Sequence, residues 1–124
     1  MKRQPIDLTS FSFVPSDGVP ALSLDKLARL YINSSASRLL DVHPYDTLIV
    51  AYHEGKDEFA IVKDASVVGD IEGAGLSVYV VDKRRYLHVR KLVNHHGIHV
   101  NQTAKYEYNR GASDGSVAVF RRVS

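Results

Sequence analysis

The amino-acid sequence predicts a mostly-β (α+β) domain in which two tandem β-α-β-β units close one barrel with pseudo-twofold symmetry. Three observations carry that prediction. The chain repeats itself: Asp25-Lys26-Leu27-Ala28-Arg29-Leu30-Tyr31-Ile32 has a counterpart in Asp82-Lys83-Arg84-Arg85-Tyr86-Leu87. Setting Tyr31 on Tyr86 puts Ile32 on Leu87 and Arg29 on Arg84. One inserted residue then puts Asp41-Val42 on Gly97-Ile98, Thr47 on Thr103, Val50 on Tyr106 and Tyr52 on Tyr108. The apolar runs are short, rich in β-branched and aromatic residues, and bounded by turn residues, which is the pattern of strands. Finally, a unit of roughly 40 residues buries too little apolar surface to fold alone. Two such units can share a core and remove exposed sheet edges.

Residues 1–20 read as an irregular arm, punctuated by Pro5, Pro15, Ser16-Asp17-Gly18 and Pro20. The domain follows as residues 21–124, with half-repeats 21–63 and 76–124 joined by a glycine-containing linker, 64–75. Ala21 to Leu24 and Leu27 to Ile32 are strand candidates around an Asp25-Lys26 turn. Asn33 or Ser34 can cap a helix over Ser35 to Leu40, because their side-chain oxygens accept orphan backbone N–H groups. Pro44-Tyr45-Asp46 is a turn. Thr47 to His53 is a strongly apolar strand, and Glu54-Gly55-Lys56-Asp57 returns the chain as Glu58 to Lys63. In the second half Leu76 to Val81 and Arg85 to Val89 are strands, Arg90 to His95 is a short helix, and Gly97 is a natural left-handed stop. Thr103 to Tyr108 and Ser116 to Arg122 are strands flanking a polar loop, Asn109 to Gly115.

A length of 124 residues with 44% apolar and 24% charged residues fits a single soluble domain. The chain has no cysteine. That excludes disulfides, thiol chemistry and cysteine-ligated metals, and favours the cytoplasm. No apolar run approaches the roughly 18 residues of a membrane span. Lys2 and Arg3 are followed by Gln4-Pro5-Ile6-Asp7, which lacks the apolar region of a signal peptide. The formal net charge of +2 is uneven. Residues 1–62 hold 6 basic and 8 acidic side chains, and residues 63–124 hold 10 basic and 6 acidic. The basic excess concentrates in Lys83, Arg84, Arg85, Arg90 and Lys91, a cluster that can attract polyanions.

Other chemistry has less support in the sequence. His88, His95, His96 and His99 lie close together, but Gly97 ends the helix that would align His95 with His99 as a metal-binding pair. Asp41, Asp46, Asp57 and Glu58 fall at turns and helix ends, where solvation and capping explain them. Ser34, Ser35 and Ser37 carry no signature of a nucleophile. The glycines of residues 69–75 lack the Lys-Ser/Thr end of a phosphate loop. The expectation is a protein without enzymatic activity, cofactor or bound metal.

One stretch carries a family likeness. Ala28-Arg29-Leu30-Tyr31-Ile32-Asn33, then Leu40-Asp41-Val42, then Tyr45-Asp46-Thr47-Leu48 resembles the AbrB and MazE family of swapped-hairpin domains. The family pattern reads Gly-Arg-Ile-x-Ile-Pro, a short helix ending Leu-Gly-Leu or Leu-Gly-Ile, then Gly-Asp-x-Val. Ala28, Asn33 and Tyr45 stand where Gly, Pro and Gly are usual, and Ser37 takes the place of the helix arginine, with Arg38 beside it. The second half matches at Gly97-Ile98, while Gln102 replaces the Asp of Gly-Asp. The resemblance implies a swapped-hairpin or double-psi-like barrel that forms its own pseudo-dimer. It also implies a nucleic-acid surface of Lys26, Arg29 and Arg38 with Lys83, Arg84 and Arg90, to which the cluster adds Arg85 and Lys91. The function expected is a small DNA-binding transcriptional regulator on duplex DNA. The alternative is a phage or mobile-element protein that binds and inhibits a host protein. A second copy of the chain is a further partner to consider; a membrane is not.

Overall fold

The structure, a computed structural model, describes residues 18–63, 78–99 and 101–124. The linker expected at 64–75 and nearly all of the expected N-terminal arm lie outside them. The first half contributes β1 (Ala21–Leu24), β2 (Arg29–Ile32), α1 (Ser34–Leu40), β3 (Thr47–His53) and β4 (Glu58–Val62). The second contributes β5 (Val78–Val80), β6 (Tyr86–His88), α2 (Arg90–His96), β7 (Ala104–Tyr108) and β8 (Val117–Arg122). Each half is therefore a leading strand followed by a β-α-β-β pattern. A short 3-10 turn, Arg110–Ala112, sits in the loop before β8.

The eight strands form one antiparallel sheet in the order β5-β3-β4-β8-β7-β1-β2-β6. The two end strands, β5 and β6, lie against one another, so the sheet is a nearly closed barrel. Exchanging β1–β4 for β5–β8 turns every ladder into another contact of the same barrel. β1–β7 exchanges with β5–β3 and β3–β4 with β7–β8, while β2–β6 and β4–β8 map onto themselves. The halves are thus interleaved: each leading strand is paired with a strand of the other half.

The hydrogen bonds fix the repeat more finely than the sequence could. Asp25 Oδ1 accepts the N–H groups of Leu27 and Arg29, and Asp82 Oδ1 those of Arg84 and Tyr86. Val89 N–H donates to the Ala28 carbonyl and Ile32 N–H to the Arg85 carbonyl. Asp82 therefore stands on Asp25, Arg85 on Ala28, and Tyr86 on Arg29. The alignment of Tyr31 with Tyr86 is displaced by two residues. The same slip affects β7: Leu48 pairs with Tyr79 and Leu22 with Tyr106, which makes Tyr106 the mate of Leu48. A slip of two leaves every side chain of a strand on its own face, so the apolar pattern cannot detect it. The helix ends carry a sharper signal. Asp41 and Gly97 are both left-handed C-caps, and Val42 and Ile98 follow them equivalently, as the sequence alignment has them.

The two short helices are held differently. The Asn33 side chain accepts the Ala36 N–H at 2.8 Å and the Ala21 N–H at 3.1 Å, joining the start of α1 to β1. α2 has Val89 at its N-cap with no side-chain bond, and is held by buried Val93. The barrel interior is filled by Leu22, Leu24, Leu30, Ile32, Phe59, Leu87, Tyr106 and Phe120, all fully buried. Each large side chain taken from water there contributes about 2 kcal/mol. Phe59 meets Tyr106 edge to face at 4.8 Å.

A partly buried carboxylate fastens the edge of this apolar arrangement. Asp57, left-handed at the β3–β4 turn, accepts the hydroxyls of Tyr52 at 2.6 Å and Tyr106 at 2.9 Å on one carboxylate oxygen. Its other oxygen accepts from Arg122 at 3.3 Å. The turn of one half is thereby fastened to β7 and β8 of the other. Asp57→Ala would leave a buried phenol without an acceptor, and is expected to cost about 2–3 kcal/mol. Asp57→Asn keeps an acceptor oxygen and tolerates the left-handed backbone, so its cost is expected to stay near 1 kcal/mol; urea midpoints of the two variants check the contrast. Burial, and next the hydrogen bond to the Asp57 carboxylate, push both phenols well above the ordinary tyrosine range. The folded state then keeps protons that the unfolded chain releases above about pH 10. That stability is fully present below about pH 10 and is lost as pH rises toward the folded values. Thermal melts from about pH 9 to 11 should show this fall, and Tyr106→Phe should make it shallower.

Candidate nucleic-acid interface

The ladder between β2 and β6 lies at the pseudo-twofold axis, with Leu30 opposite Leu87 and both fully buried. Strand alternation then sends Arg29, Tyr31, Tyr86 and His88 to the outer face. Tyr31 and Tyr86 pair directly, with ring centroids 5.1 Å apart and planes tilted by 47°. The Arg29 guanidinium lies over the Tyr86 ring at 4.6 Å and is fixed by Asp25, at 2.8 Å from both Nε and Nη2. His88 Nε2 is 3.1 Å from Asp82.

Two turns flank this outer face. The turn Asp25–Ala28 adjoins the end of β6 and the start of α2, through the Val89–Ala28 bond. The turn Asp82–Arg85 adjoins the end of β2 and the start of α1, through the Ile32–Arg85 bond. Lys26, Lys83 and Arg84 are exposed at the turn tips, Arg85 is half-buried, and Arg90 and Lys91 are exposed on the first turn of α2. Seven of the eight basic residues singled out in the sequence therefore lie on β2, on the two turns that flank the β2–β6 ladder, or on the first turn of α2 beside one of them. Arg38 is exposed on the last turn of α1, at the opposite end of that helix from the residues adjoining Arg85.

Two carboxylates are part of the same face, because the turns require them. Asp82 is partly shielded from water, which alone would raise its pKa. The N–H groups of Tyr86 and Arg84 and the neighbouring His88 outweigh this and hold it below the ordinary carboxylate range. Sequence reasoning did not assign Asp25, Asp82, Tyr31, Tyr86 or His88 to the site. The signal that could have found the first two is the Asp-Lys pair shared by both turns.

Other features of the surface are engaged within the chain. His96 Nδ1 lies 2.8 Å from Glu54 and its ring packs on Tyr52. Among the described residues, no three His, Asp or Glu side chains converge as a metal site would require. A cleft of about 260 Å³ opens between Leu39 and Leu40 of α1 and the loop before β8. Its rim charges are occupied: Asp114 accepts the N–H groups of Ser116 and Val117, and Lys63 reaches Asp41. No described helix is long and apolar enough to cross a membrane.

Asp25 both caps its turn and neutralises Arg29, and the two roles are separable. Asp25→Asn retains an oxygen for the Leu27 and Arg29 N–H groups but removes the ion pair. The variant is expected to fold normally and to elute from a heparin column at higher salt than the parent protein. Unchanged elution would show that Asp25 does not mask the Arg29 charge. No family model, curated protein or solved structure compared with the chain matches it.

Proposed function

We propose that this protein is a small DNA-binding transcriptional regulator of the swapped-hairpin kind, which docks the β2–β6 face on duplex DNA. One observation carries the reading: cations drawn from both halves of the chain are borne by β2, by the two turns that flank the β2–β6 ladder and by the start of α2, around the pseudo-twofold axis. Two others support it. Ala28 and Tyr45 stand where the swapped-hairpin pattern has glycine, and both have left-handed backbone, with φ of 59° and 72°. Arg90 and Lys91 occupy the first turn of α2, which contains no acidic residue. Cations at a helix N-terminus oppose the helix dipole, so the fold itself gives no reason for them.

The mechanism is electrostatic docking. Lys26 and Lys83 occupy equivalent positions in the two turns and contact phosphates on either side of the axis. Each neutralised phosphate releases counterions, which makes affinity depend on salt. Arginines nearer the axis contribute bidentate contacts to phosphate or guanine edges. The chain binds without catalysing a reaction.

Changing Lys83 and Arg84 together to Glu is expected to abolish retardation of a labelled duplex at about 100 mM salt, with the far-ultraviolet spectrum unchanged. For the parent protein, log affinity should fall linearly with log salt, with a slope of about −0.9 per phosphate contacted. A parent protein that retards no duplex even at low salt overturns the proposal, and leaves the alternative of a module that binds and inhibits a host protein.

A further inference from the structure

We infer that this face also takes single-stranded nucleic acid, with unpaired bases stacking on the Tyr31–Tyr86 pair while the flanking cations hold the phosphates. The inference rests on the proposed reading of the β2–β6 ladder as the centre of a nucleic-acid surface. Tyr31 and Tyr86 stand opposite one another on its outer face, half-buried, with ring centroids 5.1 Å apart. The Arg29 guanidinium lies 4.6 Å from the centre of the Tyr86 ring. A cation is therefore part of the aromatic patch itself and not only of its surroundings.

The pseudo-twofold axis supplies an internal control. With Tyr86 standing on Arg29, His88 stands on Tyr31, so the other outer pair of the ladder, Arg29 opposite His88, is the counterpart of the tyrosine pair. The same ladder forms there without a tyrosine, so the fold does not require two of them. A duplex gives them little to do: its stacked base pairs present edges and phosphates, and no base face. An unpaired base offers its π-face, and since every base has one, the contact tolerates any sequence. The charges complement it. Lys26 on one turn, and Lys83 and Arg84 on the other, are exposed at the two ends of the ladder. A strand crossing the tyrosines thus meets a cation for its phosphates on either side.

Labelled oligothymidine, which forms no duplex with itself, separates stacking from phosphate docking. At about 50 mM salt, Tyr31→Val is expected to weaken its binding about tenfold, the contribution of one stacked base. The slope of log affinity against log salt should not change, because no phosphate contact is lost. Tyr31→Phe keeps the ring and should bind as the parent protein does. Affinity for a duplex of random sequence should be the same in all three proteins. Tyr86→Val is the second probe, with the same loss expected on oligothymidine. Valine variants that melt at lower temperature yet bind oligothymidine with parental affinity would show that the tyrosines serve only the sheet, and overturn the inference. A parent protein that binds duplex but not oligothymidine overturns it as well, and leaves the duplex reading standing. One that binds oligothymidine alone upholds the inference and sinks the duplex reading; one that binds neither overturns both.

Discussion

The structure depends on an exchange of strand partners between its two halves. β1 lies between β2 and β7, and β3 lies between β4 and β5, so each half completes its hydrogen bonding on the other. Separated, either half would expose the flanks of its leading strand and of β3 or β7, and its apolar side chains would face water. Neither outcome is sustainable for a unit of this size. The same exchange explains the core. Phe59 of the first half and Tyr106 of the second meet in the centre, and Asp57 of the first half takes the hydroxyl of that Tyr106. Packing and polar bonding therefore reinforce one pairing, which makes a slipped or unpaired alternative unfavourable on two separate grounds.

Because the two halves are covalently joined, equivalent positions are free to serve different ends. The positions of Ala28 and Arg85 show this within one turn type: one side chain is compatible with a quiet turn and the other leaves a buried donor unpaired. The helices diverge in the same way. α1 is anchored at its start by Asn33, whereas α2 is anchored near its end, where His96 reaches Glu54 and Tyr52. Leaving the start of α2 without a side-chain cap frees its first turn to carry Arg90 and Lys91. A true homodimer could not distribute these duties, since any residue placed for one half would appear in both.

Most of the elements were legible in the sequence because each carries a local signal. The alternating apolar runs locate the strands, the Asn33-Ser34 pair announces the start of α1 without saying which of the two caps it, and Gly97 announces the end of α2. What the sequence concealed was the exact correspondence of the halves. A two-residue slip in a strand preserves its inner and outer faces, so the register set by the conspicuous Tyr31 and Tyr86 is as good a fit to the apolar pattern as the one set by the shared Asp-Lys starts at Asp25 and Asp82, which the turn hydrogen bonds show to be the true one. The partner exchange was equally hidden. Nothing local in Leu22 specifies that its neighbour will be Tyr106 and not a residue of its own half. The basic cluster was visible as composition, but its meeting with Lys26 and Arg29 depended on the β2–β6 ladder. The role of Asp25 in neutralising Arg29 required the turn geometry.

The modest net charge of the chain is compatible with binding a polyanion because charge acts locally. At physiological salt, interactions between exposed charges are largely screened beyond about 8 Å. A partner at the β2–β6 face therefore responds to the groups on that face and not to the total. There, Lys26, Arg29, Lys83, Arg84, Arg85, Arg90 and Lys91 stand against Asp25 and Asp82. The two carboxylates cannot simply be removed, since each holds two backbone N–H groups of its turn. A cationic face built on these turns must therefore outnumber its own structural acids. The two sides do so differently: Lys26 of the first turn stands beside the neutralised Arg29 and, in the adjoining α2, Arg90 and Lys91, whereas the second turn supplies Lys83, Arg84 and Arg85 in succession. The cations on the two sides of a nearly symmetric backbone thus differ in kind and spacing, and it is the side chains, not the fold, that would give a bound duplex its orientation.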